Sequence, residues 1–245
     1  MRKVIRIAAS DVLPSRPSVL LRAGVPTERK PSARLLDLAS RATELFLGEA
    51  EPVGLVEEVS LDELLRIHRD GREPGEPSVL ERVAPGAVRL ALFAATLGEP
   101  VGARVRRLFD EGDAPLGLFL DAVASEAAAA LAEELSGVVL DGAGADGLTV
   151  LAYSPGYCGW PVAGQRPLFA RLKPEEIGIT LGPAALMSPV KSVSGALVAA
   201  PPRAHRFRPD FAFCEPCTER SCLQRMAALR APAAARPEGD ETWTS

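Results

Sequence analysis

Apolar residues recur at helical spacing between Ala33 and Phe46, where Leu35, Leu36, Leu38, Ala39, Ala42, Leu45 and Phe46 fall on one stripe and Ser32 stands at the cap position. The pattern predicts an amphipathic helix packed by one face. Ahead of it, Val4-Ile-Arg-Ile7 reads as extended, followed by a Pro-rich connection through Pro31. Ser60-Leu-Asp-Glu63 is a capping-box-like start for a short helix ending near His68, and Arg69 to Ser78 is a polar Gly/Pro turn. From Val88, apolar and small residues alternate to Ala94-Ala-Thr-Leu-Gly98, and Val101 to Glu111 resembles an exposed amphipathic helix. Leu116 to Leu135 is a helix dense in Ala and Leu, with Ser136-Gly137 as its stop. Being apolar on nearly every side, it should be buried, and Ala127 to Ala130 marks a place where another element packs closely.

The second half changes character. Asp141 to Gly147 is a Gly-rich loop, Leu148 to Tyr153 a strand, Pro167 to Leu172 a helix, Ile177 to Leu181 a strand, and Val190 to Val198 a strand rich in β-branched residues. The order is mixed α/β without the regular strand-helix alternation of a doubly wound parallel sheet. After Ala231 the chain is rich in Pro, Ala, Glu and Arg, which predicts a disordered tail over 231–245.

Composition narrows the function classes. With 245 residues, 47% hydrophobic and 24% charged, the chain can bury a core as one domain, or as one domain with a helical appendage. The apolar stretches near Leu90–Leu97 and Leu116–Leu120 are too short for the roughly 20 residues that cross a bilayer, so no transmembrane helix is expected. The amino terminus lacks a secretory pattern, which makes a cytoplasmic location the default. A net charge of -4 argues against nucleic-acid binding, and the basic run Arg203 to Arg208, including His205, reads as a solvated loop.

Three of the four cysteines crowd into Cys214-Glu-Pro-Cys217-Thr-Glu-Arg-Ser-Cys222. A Cys-x2-Cys pair can place two thiolates on one cation and Cys222 can add a third, with Cys158 or an outside ligand as the fourth of a zinc or iron–sulfur site. The alternative is a set of reduced thiols in a flexible segment.

Two further segments carry candidate chemistry, Ala152-Tyr-Ser-Pro-Gly-Tyr-Cys-Gly-Trp-Pro161 and Met187-Ser-Pro-Val-Lys-Ser-Val-Ser-Gly195. Alone, Pro155-Gly-Tyr157 is an ordinary turn whose Gly permits close backbone approach to a ligand. Gly142-Ala-Gly144 is weaker still, lacking the full Gly-x-Gly-x-x-Gly spacing of a phosphate cradle.

Taken in order, Pro155-Gly-Tyr157, the helix Pro167–Leu172, Gly178-Ile179, Met187-Ser-Pro189 and Ser192-Val-Ser-Gly195 resemble the activation domain of vitamin B12-dependent methionine synthase. Ala94-Ala-Thr-Leu-Gly98 and Leu120-Asp-Ala-Val-Ala-Ser125 look like pieces of that family's stand-alone members, so the likeness runs from about residue 1 to residue 200. The resemblance implies a C-shaped α/β (α+β) fold with a twisted, largely antiparallel sheet and flanking helices. It divides the chain into residues 1–213, with a helical part over 1–85 and an α/β core over 86–213, then a Cys-rich segment over 214–230 and the tail.

The resemblance further implies S-adenosylmethionine binding in a shallow groove, with Tyr153, Ser154, Pro155, Gly156, Tyr157 and Ser192 as contact candidates. It implies a cobalamin-bearing partner, either methionine synthase or another corrinoid protein, together with an electron donor. The task would be reductive reactivation, in which the sulfonium methyl passes to the reduced cobalt of the partner. Positioning carries such a step, and it needs no general acid or base. Two departures stand out. Ala152 occupies the place of the family's carboxylate-pairing Arg, and the family's helix acid falls near Ala129, with Glu126 or Glu133 an adjacent turn away. Two other readings are a non-catalytic binding or assembly module of the same fold, and a metal-dependent electron-transfer accessory using the carboxyl-terminal cysteines.

Overall fold

The computed structural model describes residues 1–26, 30–70, 78–140 and 147–205. Strand β1 (Arg2–Arg6) leads to a short helix α1 (Arg16–Arg22), which Ser15 caps by accepting from the Ser18 N–H. Helix α2 (Ala33–Glu49) follows, with Ser32 capping the Leu35 N–H as its sequence predicts. Strand β2 (Val53–Glu58) precedes α3 (Leu61–Arg69), capped by Ser60 through the Glu63 N–H, and α4 (Val79–Val83). Thus the first 85 residues contribute two strands as well as helices.

Strand β3 (Arg89–Thr96) is buried on both faces, which suits its run of apolar and small residues, and α5 (Glu99–Asp110) follows directly. Helix α6 (Ala114–Leu140) is longer than its sequence predicts. Ser136 does not stop it, because the Ser136 hydroxyl donates back to the Ala132 carbonyl, and Val139 one turn later is 2% exposed. Arg89 then satisfies the Val139 carbonyl at 2.6 Å. By length and composition α6 would suit a bilayer, yet 56% of its most apolar window is buried inside the protein, which accounts for the composition by core packing. Strand β4 (Thr149–Tyr153), α7 (Gln165–Leu172), the two-residue strands β5 (Thr180–Leu181) and β6 (Met187–Ser188), and β7 (Ser192–Ala200) complete the elements.

The main sheet runs β1-β2-β3-β7-β4 with every pairing antiparallel, and β5 and β6 form a separate hairpin. Side chains alternate across it. Val193, Leu197 and Ala199 of β7 and Val150 and Ala152 of β4 face the layer of α1, α2, α5 and α6. Ala196, Val198 and Ala200 of β7 and Leu151 and Tyr153 of β4 face α3, α4 and α7. The result is an α/β fold with a five-stranded antiparallel sheet between two helical layers. On the α3–α7 side, Arg171 bonds Glu57 at 2.9 Å and also Glu63, while Arg2 reaches Glu57 and Glu176. Burial pushes the Glu57 carboxyl up, but the hydrogen bonds from Arg171 and Arg2 outweigh it and hold it below the ordinary carboxylate range.

Candidate functional site

The chain leaves β4 after Tyr153 and turns sharply. Gly156 has φ 94, a backbone region that only glycine enters cheaply. The turn is closed by the Gly156 N–H donating to the Trp160 carbonyl at 2.6 Å, the Tyr157 N–H to Ser154 at 3.1 Å and the Trp160 N–H to Tyr157 at 2.9 Å. Tyr157 is half exposed at its rim, whereas Trp160 is buried beneath.

Tyr153 faces the other way. Its side chain is 2% exposed and its hydroxyl lies 3.0 Å from His205 Nδ1. The other ring nitrogen, Nε2, lies 3.0 Å from the Thr149 carbonyl. A carbonyl can only accept, so Nε2 carries the proton and Nδ1 accepts from the tyrosine. His205 therefore clips both ends of the edge strand β4. The expectation of a solvated loop at this histidine is corrected: it is fully buried, and its partners lie over fifty residues away in sequence. Of the contact candidates, Tyr153 can offer a ligand only its main chain, while Ser154, Pro155, Gly156 and Tyr157 form the turn itself.

Ser192 is also inside the fold, at 8% exposure, with its hydroxyl 2.7 Å from the Pro189 carbonyl and 2.9 Å from Thr96 Oγ1. It ties the Met187–Pro189 turn to the start of β7. Ser194 is buried too, so neither strand serine faces solvent. Gly195 is buried as well, and Val193, on the α6 face, is the partly exposed residue of this stretch. β3 pairs with β7 from Ser192 onward, but β4 reaches only from Ala200 to Ala196. Among the described residues, residues 192–195 of β7 have no strand on the side that β4 occupies further along, and they form a ledge on which the buried Ser192 and Ser194 turn their main-chain groups away from β3. At its upper end Gly195 lies directly under the chain leaving β4: an added Cβ would stand 3.0 Å from Ser154 Oγ and nearer still to the Tyr153 carbonyl oxygen. The two motif segments thus meet at one corner of the sheet.

The wall of this corner is α6. Ala152 points toward it. Within the alanine run, Ala127 and Ala128 are buried as their close-packing role requires, but Ala129 is exposed. Glu126 is 3.4 Å from Arg22 of α1, and Glu133 is exposed. At the lower end of the ledge stands Lys191, a residue not singled out by motif reasoning although it lies within the Met187–Gly195 segment. Its ammonium is 2.7 Å from Asp121 and 2.8 Å from Ser125, both on α6. The corner offers main-chain groups, an aromatic rim and a cation, an arrangement for binding and orienting rather than proton transfer. Both histidines of the chain are buried in other contacts, His68 against Ser78 at 3.0 Å and beside the Trp160 ring.

Cys214, Cys217 and Cys222, the Gly142–Gly144 loop and the tail lie outside the described residues. Cys158, half-buried with φ 53, belongs to the turn. Among the described residues no group of three or more His, Cys, Asp or Glu side chains is placed to hold a metal ion.

No family model matches the sequence, and no curated protein matches it. Among solved structures, the chain is similar to one described as the MetH reactivation domain bound to AdoHcy, with a TM-score of 0.61 over 82% of this chain and 79% of that one, at 16% identity. The two share a fold: the five-stranded antiparallel sheet with its flanking helices is the architecture of that reactivation domain.

Proposed function

We propose that the chain binds S-adenosylmethionine at the corner formed by the Ser154–Tyr157 turn and the ledge of β7, and presents its methyl group to a corrinoid carried by a partner protein. The observation that carries this reading is the convergence of the two motif segments, well separated in sequence, on one corner of the sheet beside α6, where the pairing of β4 with β7 ends. The ligand of the structural neighbour supports it, since AdoHcy is the thioether left when S-adenosylmethionine gives up its methyl. A partner enters because the methyl acceptor in this reading is a corrinoid, which another protein carries.

In the proposed cycle an electron donor reduces the partner's oxidised cobalt to the cob(I) state. Its electron pair then attacks the sulfonium methyl, a cobalt–carbon bond forms, and the carbon–sulfur pair stays on the departing thioether. This chain's share is positional. The turn and ledge hold the ligand by main-chain hydrogen bonds, Tyr157 covers one side, and α6 limits its tilt, so that the methyl faces outward in line with the acceptor. The partner is a cobalamin-dependent methionine synthase or another corrinoid protein.

Ala152 and the exposed Ala129 favour a second reading, a binding or assembly module that keeps the fold without the ligand. The two separate in a pull-down against cobalamin-loaded methionine synthase with and without S-adenosylmethionine. Capture strengthened by the ligand supports the first reading. Capture indifferent to it, joined to a silent calorimetric titration of the folded protein, supports the second.

A further inference from the structure

We infer that Lys191 is the group that binds the carboxylate of the ligand, in place of a guanidinium on β4. The inference rests on the proposed S-adenosylmethionine reading and names the residue that discriminates for an amino-acid tail.

Four observations lead there. Ala152, one of the β4 side chains facing α6, carries no charge, so a ligand carboxylate must find its cation elsewhere on the same face. Lys191 is on that face, because its ammonium meets Asp121 and Ser125 of α6. It stands at the lower end of the ledge whose upper end is Ser154 over Gly195. Four residues of extended strand separate these ends, about 13 Å, and between them Val193, on the α6 face, is partly exposed, so an adenosine held at the turn with its amino-acid arm laid across Val193 bridges the span.

The fourth observation is how the ammonium is held. An ammonium has three donors. Two meet Asp121 and Ser125 at short distances, and the remaining contact is the Asp121 main-chain carbonyl at 3.4 Å, too long to be a strong bond. The Lys191 side chain is only 12% exposed while Asp121 is 45% exposed. The stem is thus fixed in place, with one donor direction weakly used. A fixed, partly desolvated cation costs little further ordering when a carboxylate arrives, and a charge-assisted bond there is stronger than at the open surface. Asp121 keeps the pair near neutrality, so the corner also tolerates the positive sulfonium. A lysine needed only to pin the loop before β7 to α6 would serve equally well with any ligand, and this separates the two roles.

The test compares S-adenosylmethionine with decarboxylated S-adenosylmethionine, which keeps the sulfonium and adenosine and lacks only the carboxylate. Affinities are measured calorimetrically on the full chain for wild type, Lys191→Met and Lys191→Arg, each checked for folding by thermal melting. The expected result is a wild-type preference for the carboxylated ligand of roughly tenfold or more, the size of a charge-assisted hydrogen bond. Lys191→Met should abolish the preference by weakening only the carboxylated ligand, and Lys191→Arg should retain most of it. An unchanged preference in Lys191→Met, or an equal loss for both ligands, overturns the inference while the binding site stands. Failure of the wild-type protein to bind either ligand overturns the inference together with the reading on which it rests.

Discussion

Replacing Gly195 with alanine tests whether the two motif segments are pressed together as described. The glycine occurs where the chain leaving β4 crosses the α6 face of β7. An added Cβ would stand 3.0 Å from both Ser154 Oγ and the Tyr153 carbonyl carbon, and well under 3.0 Å from the Tyr153 oxygen. The obstacle is largely backbone, held from the opposite face by the Tyr153–His205 contact at 3.0 Å, so it cannot rotate aside. Gly54 of β2 is the natural control. There an added Cβ would meet Leu135 side-chain atoms at 2.6 and 2.8 Å, the end of a flexible side chain that can change rotamer. Overpacking costs about 1–3 kcal/mol. The backbone obstacle puts Gly195→Ala near the upper end, about 3 kcal/mol, and Gly54→Ala near about 1 kcal/mol, each offset by a few tenths from the stiffer unfolded chain. For a protein of this size, that places the Gly195→Ala melting temperature about 6–12 °C below wild type. Denaturant unfolding and thermal melts of both variants give the comparison, and AdoHcy titration reports on the turn. Equal destabilisation by the two substitutions, or a Gly195→Ala protein within about 0.5 kcal/mol of wild type, would refute the close crossing.

Other expectations follow from the same geometry. Gly156→Ala forces a Cβ into a positive-φ turn and against Val162 at 3.2 Å, so it should cost about 1–2 kcal/mol and weaken AdoHcy binding measured by calorimetry. Tyr153→Phe and His205→Ala each remove one side of a buried hydrogen bond, about 1–3 kcal/mol apiece. A double-mutant cycle by denaturant unfolding should show the pair losing less than the sum, whereas strict additivity would mean the contact is idle. Glu57 is held below its ordinary pKa in the folded protein, so its contribution is present above the unfolded value and is lost as the pH falls through the folded value. Stability measured by urea unfolding should therefore decline on acidification below about pH 4, and less steeply in Glu57→Gln.

How much of this was legible in sequence follows from where the controlling contacts lie. Helices α2 and α3 announce themselves because the capping serines, Ser32 and Ser60, act three residues along the chain. β7 is legible from its β-branched alternation, and the turn from Gly156. β2 and α1 escape because each is short, and the first carries a glycine and two glutamates that a propensity reading scores against strand. Their order comes from sheet pairing and from packing on α6. The length of α6 escapes for a comparable reason: Ser136-Gly137 is a stop in isolation, but burial of Val139 and the Arg89 contact carry the helix onward. At the site, the order of motifs marks the two segments that meet at one corner of the sheet, whereas the contacts of His205 and Lys191 depend on partners 52 and 70 residues away and leave no local pattern. Ser192 and Ser194 illustrate the limit of strand alternation, which marks two faces and does not say that both are covered by helices.

Hydrogen exchange of the full chain with and without AdoHcy tests the central claim most directly. If the Ser154–Tyr157 turn and the ledge of β7 form the binding site, saturating ligand will slow exchange in peptides covering residues 153–160 and 191–196 and leave the Arg2 and Lys173 surface of the opposite layer unchanged. Unaltered exchange in both segments at saturating AdoHcy, or protection confined to other parts of the fold, would contradict the account.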